Sequence, residues 1–164
     1  MIKSMSLSEI LTEYSNKMGV PFIFATWDEL VKIALVKGEL GKKKFPFFAL
    51  EPNIKIKEGE SYYWNELDFV LYFMAECKSN DSSAKKQEIF VNSVYPIIDK
   101  FFKCIQKSNY FETIKDDGLI KYTKENIYNP STTANDLSDH FVCSKLDFKN
   151  VKLKKDLPGH DYKL

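Results

Sequence analysis

Few side chains in this sequence could handle a proton, a metal or a nucleophilic attack, and their spacing does not gather them. The two histidines, His140 and His160, have no second His, Cys or carboxylate at a ligand spacing such as HxxxH, and both read as structural. Three cysteines, Cys77, Cys104 and Cys143, lie far apart. An odd number without a CxxC pair fits neither a disulfide framework nor a zinc site, and points to a reducing compartment where all three pack as small hydrophobes. Acidic pairs occur at Asp28-Glu29, Asp116-Asp117 and Asp136/Asp139, and a metal-dependent nuclease would need such carboxylates on neighbouring strand ends. Asp28-Glu29 fits better as first-turn helix charge, and Asp116-Asp117-Gly118 as a turn. There is no GxxxxGKS/T, GxGxxG or GxSxG string, and six scattered glycines build no phosphate cradle. The expectation is a protein that is not an enzyme, with no catalytic residue, no metal and no cofactor.

All 24 basic residues are lysine, which excludes mechanisms that need the planar fork of arginine; mutational bias in an AT-rich genome accounts for the composition. A formal net charge of +1 removes the broadly basic nucleic-acid binder and the membrane-surface protein as classes. Two local clusters remain, Lys42-Lys43-Lys44 and Lys152, Lys154 and Lys155, which could touch DNA phosphates or an acidic neighbouring surface; solvated loops are the plainer account. With 164 residues, 44% of them hydrophobic and 15% aromatic, the chain can bury a core without disulfides or metals. Its start leads into a polar amphipathic segment and no run approaches about 18 apolar residues, so neither a signal peptide nor a membrane span is expected.

The elements that must position these residues follow from caps and periodicity. Ser6-Leu7-Ser8-Glu9 is a capping box, and Leu7, Ile10, Leu11, Tyr14 and Met18 recur at helical spacing until Gly19, which predicts a helix over 6–18. A short β-prone run over 20–25 feeds a second helix, capped at Thr26 and ending near Gly38. The run Phe45 to Leu50, closed by Pro52, reads as a strand covered on both faces. From Tyr62 to Cys77 the sequence alternates, with Leu67, Phe69, Leu71, Phe73 and Ala75 facing the core. At about 3.3 Å per residue so long a strand must project beyond the body or be bulged. The longest helical pattern, over about 83–109, places Phe90, Val94, Ile97, Ile98, Phe101 and Ile105 on one stripe, with Pro96 predicting a kink or break. Strands over 119–129 and 141–153 form an antiparallel pair joined by a long polar loop. The class is α+β: a mixed, mainly antiparallel sheet packed by one long helix, with N-terminal helices, over 1–153, and an extended C-terminal arm, 154–164.

Tyr62-Tyr63-Trp64 opens the long strand, so Tyr62 and Trp64 share a face opposite Tyr63, and an exposed aromatic pair there would anchor a protein partner. The run Phe22 to Leu30, the strand from Phe45 to Pro52, the long strand from Tyr62, the helix from Ala84 to Tyr110 and the closing strand pair together resemble bacteriophage tail-terminator or tail-completion proteins, which are head–tail connector components, particularly those of phages of Bacteroidetes hosts. The lysine-only basic set would suit an AT-rich phage genome such as a crAss-like one. The resemblance implies a structural virion protein, assembled in the bacterial cytoplasm into a hexameric or dodecameric ring between portal or neck and tail proteins, with genomic DNA passing through its lumen. Tyr62 and Trp64, with Leu157, Pro158 and Tyr162 of the arm, are then the subunit-interface candidates, and the two lysine clusters are candidates for contact with DNA or an acidic partner. The competing expectations are a small metal-dependent nuclease of a mobile element and a monomeric or dimeric protein-binding module.

Overall fold

The computed structural model describes residues 6–30, 46–57, 64–77, 81–112, 120–128 and 140–154, with only the backbone at 57, 64, 65, 128, 140 and 154. Helix α1 spans Leu7–Met18; Ser6 caps it, its Oγ accepting from the Glu9 N–H, and Gly19 ends it in the left-handed conformation at φ 67°. The five apolar residues of its predicted stripe are all buried. Strand β1, Phe22–Phe24, follows, and then a helical turn opens at Trp27 with the Thr26 hydroxyl accepting from the Glu29 N–H. The expected course of that second helix to Gly38 lies outside the described residues.

Strand β2, Phe47–Leu50, is buried at all four positions, as expected for a strand covered on both faces. Strand β3 is Lys55–Lys57 and strand β4 is Trp64–Cys77. The long helical region consists of α2, Ser83–Ile89, a π-helical turn, Phe90–Val94, and α3, Tyr95–Lys107. Pro96 accounts for the wide turn. It has no N–H to give the carbonyl four residues back, and the chain widens just before it so that the Tyr95 N–H bonds the Phe90 carbonyl. The predicted break is thus absorbed as one π turn, and the stripe from Phe90 to Ile105 stays buried across it. Strands β5, Tyr122–Tyr128, and β6, His140–Lys154, complete the order.

The sheet runs β1-β2-β4-β6-β5, with β1 and β2 parallel and the other pairs antiparallel; β3 pairs β4 beyond β2. This is the mixed, mainly antiparallel α+β architecture the sequence predicts. The position of β4 differs from expectation. Its middle is an interior strand: β6 pairs it from Trp64 to Cys77 on one side, while β3 takes Glu66–Asp68 and β2 takes Leu71–Met74 of the other. The bulge half of the expectation holds. Leu67 pairs Val151 and Phe69 pairs Phe148, so Asp68 faces two residues, Lys149 and Asn150. Asn150 takes φ 55° there, a region asparagine tolerates, and its N–H donates to the Asp68 carboxylate at 2.8 Å.

Both sheet faces are apolar. On one, α1 and the long helix cover Leu67, Phe69, Leu71, Phe73 and Ala75. On the other, Val70, Tyr72 and Met74 meet Ala25, Trp27 and Leu30, with the Trp27 ring 5.3 Å from Tyr72 and 5.9 Å from Phe141. Phe101 of α3 is the hub of the first face, in ring contact with Tyr14, Phe48, Phe73 and Phe148. The Tyr14 hydroxyl, buried under α1, is satisfied by Ser108 at the end of α3. Burial raises its pKa, so the proton stays on. Cys77 and Cys143 are buried as expected, but Cys104 is only half-buried because it sits on the shoulder of α3. Replacing Phe101 with alanine is expected to cost about 3–5 kcal/mol, and Asn150→Val about 1–3 kcal/mol from a β-branched residue at positive φ; urea unfolding of each variant checks both.

Candidate functional site

Most sequence-predicted site residues lie outside the described set: Tyr62, Leu157, Pro158, Tyr162, Lys42, Lys43, Lys44 and Lys155, together with the acidic residues Asp116, Asp117, Asp136 and Asp139. Trp64 and Lys154 are described in backbone alone and pair with each other at the end of the β4–β6 ladder. Lys152 is the one candidate whose side chain is described; its ammonium lies 3.4 Å from the Glu112 carboxylate, with both side chains about half exposed. Asp28 and Glu29 sit in the helical turn opened by Thr26, as their reading as first-turn charges requires. Among the described residues no three His, Cys, Asp or Glu side chains gather as a metal would need, and no helix is long and apolar enough to cross a membrane. Burial pushes the Cys143 thiol far up from its ordinary value and raises that of Cys104, so both favour the protonated, unreactive form.

What the described geometry does offer is surface for contact. The path β1-β2-β4-β6-β5 ends in two unlike edges, and β3, paired with β4 alone among the described residues, adds a short third one. β1 is three residues long; its inner side is fixed by Phe48 N–H to Pro21 carbonyl and Ala25 N–H to Leu50 carbonyl, both parallel-ladder bonds. Alternation then turns the backbone groups of Phe22 and Phe24 outward. The Phe24 ring is 47% exposed. β5, at the far side, is seven residues long and carries exposed Lys124 and Glu125.

β5 is held in register from below. Ser144 of β6, fully buried, donates to Asn126 Oδ1 at 2.6 Å, and Asn126 Nδ2 donates to the Tyr95 hydroxyl at 2.6 Å. Lys124 Nζ sits 4.3 Å from the centre of the Tyr95 ring. Every polar atom named in this chain has a partner, so slipping β5 by one residue would strand buried donors. The sequence does carry a signal for it: Ser144 is the one polar residue in the stripe Val142, Ser144, Leu146, Phe148.

A second feature lies where β5 stops. On that side of β6 the described pairing ends at Tyr122 with Phe148 and resumes at Lys152, whose carbonyl accepts from the Glu112 N–H at 3.0 Å, and at Leu153, bridged to Phe111. Between them an open groove of about 420 Å³ is lined by Ile120, Lys121, Lys149 and Val151, with Lys152 and Glu112 at one end. No family model matches the chain, and no curated protein is significantly similar to it in sequence. Asn126→Ala is expected to lower stability by about 1–3 kcal/mol, the cost of leaving the buried Ser144 hydroxyl without its acceptor. In hydrogen-exchange measurements it should speed the amides of β5 while leaving those of β4 protected.

Proposed function

We propose that this chain is a non-catalytic assembly subunit that repeats head to tail into a ring, and that the ring is the bacteriophage head–tail connector or tail terminator its order of elements resembles. The observation that carries the assembly reading is the pair of unlike edges at opposite sides of the sheet, β1 and β5, each paired on one side alone among the described residues. An edge strand presents backbone donors and acceptors to a second chain. Pairing β1 of one copy with β5 of the next is a heterologous contact, and such a contact closes into a ring when its rotation divides a full turn. A three-residue strand makes a short ladder, so side chains must contribute; the half-exposed Phe24 beside Phe22, their rings 5.6 Å apart, supplies apolar area. The charges on β5 discourage indiscriminate pairing.

The phage part of the reading is supported by the α+β order of the elements. Its partners are further copies of this chain, as a hexamer or dodecamer, with portal or neck proteins on one side and tail proteins on the other. Its place is the virion. The lysine clusters are the candidates for contact with DNA in the lumen.

Native mass spectrometry of the full chain is expected to give a ring of six or twelve copies, and Phe24→Lys should shift it toward folded monomer by putting a charge in the contact. A wild-type chain that stays monomeric at every concentration, or a Phe24→Lys ring as stable as the parent, would sink the proposal.

A further inference from the structure

β5 is joined to the molecule by a different kind of contact from the strands inside the sheet. β2, β4 and β6 each bury apolar side chains in the core, whereas no side chain described from Tyr122 to Ile127 is buried. The core stops just short of the strand: Ile120 is 4% exposed and belongs to the apolar cluster under the helices, while Lys121 is exposed. Tyr122 lays its ring 4.8 Å from Phe102 and 5.8 Å from Phe148 yet stays 38% exposed, and Phe148 has Phe69 and Phe101 as further ring neighbours. What holds β5 is its ladder to β6 and the polar chain from Ser144 through Asn126 to Tyr95.

That polar chain treats two kinds of movement differently. A slip of β5 by one residue keeps the Ser144 hydroxyl covered and takes away its acceptor, which leaves a buried donor unpaired. Release of the whole strand instead lets water reach Ser144 and Tyr95 and replace both hydrogen bonds. Partial displacement is the costly state, and complete release is opposed only by a ladder on one side and little apolar burial. We propose that β5 is a latched strand: it leaves β6 as one unit while Ile120 and the rest of the core stay folded, and the Ser144–Asn126–Tyr95 chain is the catch. The open state presents the β6 edge from Val142 to Phe148, a row of backbone donors and acceptors beside the Ser144 and Tyr95 hydroxyls. This device works on the inner side of β5 and does not rest on the ring reading, which uses the outer side.

Native-state hydrogen exchange on the full chain, in water and in low urea, tests this; Phe24→Lys protein is measured alongside, so that pairing of the outer edge in an assembly does not mask the opening. Along β6, alternate amides face β4 and β5. Those facing β5 are expected to exchange together with the amides of β5 itself, about a hundredfold or more faster than those facing β4, and with little dependence on urea, because a local opening exposes little surface. Asn126→Ala should speed the β5 amides and the β5-facing amides of β6 by the same factor, about tenfold or more. Phe101→Ala, which weakens the core, should speed the β4-facing amides and leave the β5 opening unchanged. The proposal is overturned if the β5-facing amides of β6 are as protected as the β4-facing ones, if both sets share one urea dependence, or if Asn126→Ala speeds β5 alone. The pattern is read within one protomer, so failure of either proposal leaves the other standing.

Discussion

The antiparallel ladder between β4 and β6 is the constraint from which the rest of the molecule follows. It runs from Trp64 with Lys154 to Cys77 with His140, and its central stretch is apolar on both faces. A sheet with two oily faces has to be covered twice. One face is met by α1 and the long helix, the other by the turn at Trp27 and Leu30. The same ladder fixes what is left over: β4 is used on both edges, β6 passes its second edge to β5, and among the described residues the open edges fall to β1, β3 and β5.

A long two-stranded ladder has a register problem, because a one-residue slip would exchange its two apolar faces with similar burial on each. Polar residues break that degeneracy. The bulge at Asp68, with Asn150 at positive φ and its N–H on the Asp68 carboxylate, can form at one alignment alone. Ser144 does the same from the other side, since its hydroxyl finds Asn126 only when β5 is in place, and Asn126 in turn needs Tyr95. The π turn matters here too. It shifts the phase of the helix just before Tyr95, whose hydroxyl meets the sheet while Phe90 and Val94 remain in the core.

Much of this was legible in the residues. The caps at Ser6 and Thr26, the stop at Gly19, the alternation from Leu67 to Ala75 and the stripe from Phe90 to Ile105 all name their elements, because each depends on local geometry. The centrality of β4 was not legible, since strand length says nothing of how many partners a strand has; β2 and β3 share one edge of it, and that sharing is a tertiary fact. The groove was hidden for a related reason. Along β6 the buried residues of the helix-covered face are Val142, Ser144, Leu146 and Phe148 and then Val151 and Leu153, a change of parity that marks an extra residue at 149–150. Counting clusters of lysine in sequence groups Lys152 with Lys154 and Lys155, whereas the fold groups it with Lys121 and Lys149.

Strand addition at β1 or β5 would rest on backbone hydrogen bonds and apolar contact, neither of which salt screens strongly. Contacts made through the exposed ammonium groups of Lys121 and Lys149 would instead weaken as ionic strength rises. A contact of the first kind suits permanent repetition of one subunit, because its strength is set by the fold and not by the surrounding electrolyte.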